Sequence, residues 1–165
     1  MNGRVLVAGI GNIFLGDDAF GVEVVKHLRE HSLPDYVKVE DFGIRSYDLA
    51  YALMEEWDLV ILIDALSRGG EPGTLYTIEP ELPNANGAGI EVDAHSMNPT
   101  AVLHMVRALG GRFGSVLVVG CEPATIEPDL EGNFGLSRAV HEAVDEAVRL
   151  VEELVASAWT RLNAA

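Results

Sequence analysis

Cysteine is nearly absent from this 165-residue chain: Cys121 is the only one. No internal disulfide framework can therefore exist, and the composition fits a reducing compartment. Basic residues are scarce too, with 11 Lys and Arg against 26 Asp and Glu, for a formal net charge of −15. That excludes a broad basic surface of the kind that grips nucleic acid or anionic membrane. It is compatible with cation binding or a basic partner, although acidity of this kind commonly serves solubility alone. No apolar run approaches the roughly 20 residues that span a bilayer, and no basic-then-apolar leader opens the chain. There is no repeat, low-complexity tract or linker. The expectation is one soluble, cytoplasmic domain over residues 1–165, with no nucleic-acid or membrane partner.

What is present begins with RVLVAGIGNIFLGDDAFG, residues 4–21. Residues 4–8 open as a strand, and after Arg4 it is apolar without alternation, as in a strand covered on both faces. A glycine-bearing loop follows, then Asp17 and Asp18 where a helix over 19–30 should start. Acidic residues suit a helix N-terminus on electrostatic grounds alone. Further on, the pattern predicts a short strand at 36–39, a DFGIRS loop, and a helix over 47–56 with Ser46 as its cap. A second unbroken apolar strand covers 59–63 and ends at Asp64. The pattern then gives a strand at 74–78, a helix over 98–109, a strand at 116–119 and a long helix over 137–161. Alternating strands and helices imply an α/β fold, a three-layer α/β/α sandwich on a mostly parallel five-stranded twisted sheet. The 74–78 strand follows its predecessor with no room for a crossover helix, so it should run antiparallel.

Open α/β sheets bind ligands beyond the carboxyl ends of their parallel strands. Asp17 and Asp18 fall there after the first strand, Asp41 after the second, Asp64 at the end of the third, and Cys121 and Glu122 after the fifth. His95 precedes a helix that must begin at the same edge. Carboxylates with an imidazole are ordinary ligands for a divalent metal. Each also has a plainer role: Asp64 as a turn cap, His95 as a polar loop residue, Asp41 and Asp93 as solvated acids, Cys121 as a small apolar residue. Gly11, Asn12, Asp41 and Gly43 are candidates to shape a cleft and contact substrate, and Asn12 could equally brace its own loop. Neither the dinucleotide fingerprint nor a P-loop is present.

GIGNIFLGDDAFG, Asp64 in ILIDAL and His95 in DAHSMNP together resemble the hydrogenase maturation protease family. The DFG, PGT, VVGCEP and GLS segments extend the resemblance over most of the chain. These are the endopeptidases that trim the C-terminal extension of the large subunit of nickel–iron hydrogenases. The resemblance implies that Asp18, Asp64 and His95 form the catalytic and metal-binding set. The metal it implies is nickel, Ni2+ supplied by the precursor large subunit, although Zn or Cd could occupy such a site. It implies that precursor as the partner. Many members carry a GGT-type sequence where this chain has Phe42-Gly43-Ile44-Arg45, a departure at a place suited to contacting substrate. Two other classes stay open at this point: a small-molecule hydrolase using Cys121 and His95, and a non-catalytic metal-binding factor for hydrogenase assembly.

Overall fold

The computed structural model describes residues 3–82, 99–128, 130–131 and 134–164. Five strands form one sheet: β1 (Val5–Ile10), β2 (Val37–Gly43), β3 (Trp57–Ala65), β4 (Leu75–Ile78) and β5 (Phe113–Cys121). Four helices accompany them: α1 (Phe20–Leu28), α2 (Ser46–Leu53), α3 (Pro99–Ala108) and α4 (Arg138–Asn163). The strand order is β2-β1-β3-β5-β4. All neighbours pair in parallel except β4, which runs antiparallel on β5, as its short connection requires.

Two apolar layers explain why β1 and the heart of β3 carry no polar alternation. Val5, Val7, Leu59, Ile61, Ile63, Val119 and Cys121 face α1 and α4. Leu6, Ala8, Ile10, Val60 and Leu62 face α2 and α3 on the other side. Each fully buried Leu or Ile contributes on the order of 1.5–3 kcal/mol of transfer free energy. The α4 stripe Val140, Ala143, Val144, Ala147, Val148, Val151, Val155 and Ala158 recurs every three to four residues and is buried throughout.

The strand order sets the location of the crevice. From β1 the chain passes through α1 to β2 on one side, then through α2 to β3 on the other side of β1. The connections leaving β1 and entering β3 therefore diverge to opposite faces, which makes a topological switch point between these two strands.

Several boundaries differ from the sequence expectation. Asp41, Phe42 and Gly43 belong to β2 rather than to a loop, because β1 continues through Gly9 and Ile10 and pairs with Asp41 and Gly43 across a register shift. Phe42 is buried in the core there. Ser46 is not a cap: it lies inside the first turn of α2, buried, with Arg45 at the cap position. The first helix is a 3-10 turn, Gly16–Ala19, followed by α1. His95 and Asp93 lie outside the described residues, as does the expected first residue of α3, Asn98.

Candidate active site at the switch point

The crevice is built by main-chain contact closer than ordinary side chains allow. Gly11 leaves β1 with φ +140°, and a Cβ there would meet the Asp18 carbonyl oxygen at 1.7 Å. At Gly21, a Cβ would meet the Ile63 carbonyl oxygen at 2.0 Å. The 3-10 turn is thus pressed onto the end of β1 and the start of α1 onto the end of β3, and only glycine at positions 11 and 21 permits it. The Gly11 N–H donates to the Gly43 carbonyl at 3.0 Å, which draws the end of β2 into the same rim.

This geometry brings Asp18 and Asp64 together. Burial pushes the Asp64 carboxyl well above its ordinary range, and the negative charge of Asp18 raises it further, against a small opposing effect of the Ala65 backbone N–H. The Asp18 carboxylate accepts the Asn12 N–H at 2.8 Å. Among the described residues neither Asp18 nor Asp64 has a basic side chain in salt-bridge contact. Two carboxylates crowded in this way favour a cation between them. Among the described residues no group of three His, Cys, Asp or Glu side chains is placed to hold a metal ion; a third donor would have to come from elsewhere, and His95 lies outside that set.

Gly11, Asn12, Asp41 and Gly43 line one open cleft of about 280 Å³, which adjoins Asp18 through the Asn12 N–H bond. The Asn12 carboxamide oxygen accepts the Phe14 N–H at 2.9 Å, so that side chain braces its own loop. Asp41 does the same for its turn, accepting the Gly43 N–H at 2.8 Å. Arg45 also lines the cleft and donates to the Phe42 and Asp41 carbonyls. Its rim is apolar and open: Ile13, Phe14 and Ile44 are each about half exposed, and Phe14 meets the exposed Phe134 edge to face at 5.7 Å between ring centroids.

Cys121 closes β5 with no exposure. Burial first, and the Asp17 charge second, push its thiol up to about 12. A thiol so placed is neither accessible nor ionised at neutral pH, which counts against a cysteine nucleophile and agrees with a small apolar residue at a strand end.

Two buried carboxylates at this edge were not assigned roles from sequence. Asp17 has no exposure and accepts hydrogen bonds from Ala124, Thr125 and Ser137. Glu122 is also buried and accepts the Arg68 N–H at 2.7 Å, the Gly69 N–H at 3.2 Å and the Tyr76 hydroxyl at 2.9 Å. Those bonds, the Arg68 N–H foremost, hold its carboxyl below the ordinary range. A polar residue next to a turn carries no local mark of burial, so sequence offered no signal that separates these two from solvated acids.

The fold and rim define an α/β/α sandwich with an acidic crevice at its switch point and an apolar-lipped cleft beside it. A family model described as hydrogenase maturation protease matches residues 22–154. Coenzyme F420 hydrogenase subunit delta of Methanothermobacter thermautotrophicus is 33% identical over 155 residues, 90% of this chain and 92% of that one. Among solved structures, the hydrogenase 2 maturation peptidase of Thaumarchaeota archaeon SCGC_AB-539-E09 superimposes with a TM-score of 0.70 at 34% identity, over 93% of this chain and 98% of that one. The hydrogenase maturating endopeptidase HybD of Escherichia coli gives a TM-score of 0.73 at 29% identity, over 93% of each chain. The chain belongs to the hydrogenase maturation protease family and is accordingly a peptide hydrolase.

Proposed function

We propose that this endopeptidase removes the C-terminal extension of a nickel–iron hydrogenase large-subunit precursor, and that nickel already loaded in the precursor is the feature it reads. The observation that carries the reading is the pairing of Asp18 and Asp64 at the switch point, where burial first and the Asp18 charge second make the ionised form of Asp64 costly. Oxygen donors crowded this way favour a divalent ion delivered from outside, and His95 would complete the set with an imidazole. Two carboxylates and one imidazole leave positions open for ligands that stay with the substrate, which a sensing site requires. An ion seated there also supplies charge that can polarise a nearby carbonyl or acidify a water.

The cleft gives the chain to be cut a place to lie. Its Gly11 and Gly43 walls let a backbone approach closely, and Ile13, Phe14 and Ile44 offer apolar contact to side chains flanking the cut. The nucleophile in this reading is water, in keeping with the inaccessible Cys121 thiol.

The test is mass spectrometry of nickel-loaded precursor before and after incubation with this protein. A single shortening, lost in Asp18→Ala, Asp64→Ala and His95→Ala, is the expected result. If all three variants shorten the precursor at the normal rate, the site is misassigned. Stoichiometric binding of precursor with no change in mass would instead mean an assembly factor.

A further inference from the structure

Asp17 stands beside Asp18 yet has no exposure and takes no part in the crevice. Its Oδ1 accepts the Ser137 N–H at 2.6 Å. Its Oδ2 accepts the Ala124 N–H at 2.8 Å, the Thr125 N–H at 3.1 Å and the Ser137 hydroxyl at 2.9 Å. Four donors fill the acceptor capacity of a carboxylate. The Asp17 N–H in turn donates to the Thr125 carbonyl at 2.9 Å, so turn and loop are tied in both directions. Ser137 sits at the cap position of α4 but makes no side-chain cap bond there; its hydroxyl is spent on Asp17.

The partners matter because of the strand they follow. Ala124 and Thr125 lie just past the end of β5, and β5 pairs with β3 through Asp64↔Gly120 and Ala65↔Cys121. The Leu66 N–H bonds the Cys121 carbonyl at 2.9 Å and continues that link. On the other side, the β1–β3 ladder ends at Gly9↔Ile63, before either site carboxylate is reached. The Asp17 bonds are therefore a further tie, beside the main-chain contacts at Gly11 and Gly21, between the turn that carries Asp18 and the strand pair that carries Asp64.

We propose that Asp17 is a positioning residue: its buried carboxylate bolts the Gly16–Ala19 turn to the segment after β5 and to the start of α4, and so fixes where Asp18 stands relative to Asp64. This rests on the reading of Asp18 and Asp64 as the site pair. Asp17 faces away from substrate and acts only through its neighbour. Residues that orient a ligand in this indirect way commonly carry about 10–100-fold of function.

The experiment compares Asp17→Asn, Ser137→Ala, Asp18→Asn and Val144→Ala on nickel-loaded precursor, at a temperature well below every melting point. Val144 is a buried core residue about two turns into α4, outside the Asp17 hydrogen bonds, and serves as the control for lost stability. Asp17→Asn places an amide N–H among donors, so kcat should fall about 10–100-fold with KM little changed. Ser137→Ala removes one of four donors and should lower kcat by a smaller factor, while Val144→Ala keeps the wild-type kcat despite its lower melting temperature. Hydrogen exchange at residues 16–19 should quicken in both rim variants. The proposal is overturned if Asp17→Asn and Ser137→Ala lose no more kcat than Val144→Ala; should Asp17→Asn fail to fold, Ser137→Ala decides alone. With Asp18→Asn inactive in that outcome, only the positioning role fails. With Asp18→Asn fully active, the site reading itself fails.

Discussion

Asp17, Glu122, Asp18 and Asp64 stand at the carboxyl rim of this sheet, and the protein treats them in two opposite ways. Asp17 and Glu122 are buried and surrounded by donors, four for the first and three for the second. Asp18 accepts the Asn12 N–H, and Asp64, half-buried, stands in the field of its neighbour's charge. The first pair is finished chemistry: the charge is satisfied, and the result is rigidity. In the second pair the charge on Asp64 is unfavourable, because burial and the neighbouring Asp18 both oppose it.

That contrast can be broken by substitution, and the largest effect falls on the second pair. Asp18→Ala, Asp64→Ala and His95→Ala should each reduce precursor processing at least about a thousandfold, within the range that loss of a reacting-site group commonly costs. Circular dichroism should show Asp18→Ala and Asp64→Ala folded, since neither side chain is the hub of a donor network as Asp17 and Glu122 are.

Stability should respond in the opposite sense for the two pairs. Glu122→Ala leaves two backbone N–H groups and the Tyr76 hydroxyl without their acceptor, and should give the largest fall in melting temperature among the rim variants. Asp64→Asn should instead raise the melting temperature at neutral pH while abolishing processing. The sign follows from its raised pKa. Stability from this group is full below the unfolded carboxyl pKa and is lost as pH rises through the higher folded value, so at neutral pH the ionised form is a burden. The neutral amide removes that burden.

Acid titration separates the pairs more finely. The Glu122 pKa is lowered on folding, so its stabilisation is present above the unfolded value and is lost as pH falls through the folded one. Melting temperatures of wild type and Glu122→Gln, measured from pH 7 downward, should therefore differ most at neutral pH and converge below the carboxylate range. The smallest effect belongs to Cys121→Ala. Processing should stay at the wild-type rate, with a stability loss of about 1 kcal/mol for the trimmed core atom, read by chemical denaturation. A large loss of turnover there would revive a thiol nucleophile.

Much of this was legible in the chain itself. Residues 5–8 and 59–63 announced central parallel strands because helices cover both of their faces, leaving no solvent side to demand alternation. The antiparallel sense of β4 followed from a connection too short for a crossover. Asp18 and Asp64 were singled out by strand ends and by the family pattern. Less legible was the second strand's reach through Asp41, Phe42 and Gly43: Asp and Gly read locally as a turn, and only pairing with Gly9 and Ile10 of β1 holds them extended. Ser46 reads as a cap, yet it is buried inside its helix, while Ser137 holds the cap position of α4 with its hydroxyl spent on Asp17.

By itself the sequence determined the layer architecture, since burial on one or two faces writes its period directly into neighbouring residues. It also determined the glycines at which backbone can touch backbone. Only the tertiary structure decided which of two adjacent aspartates would be fastened and which left open. That choice depends on donors 107 to 120 positions away along the chain, at Ala124, Thr125 and Ser137, and no local pattern encodes where such distant groups will point.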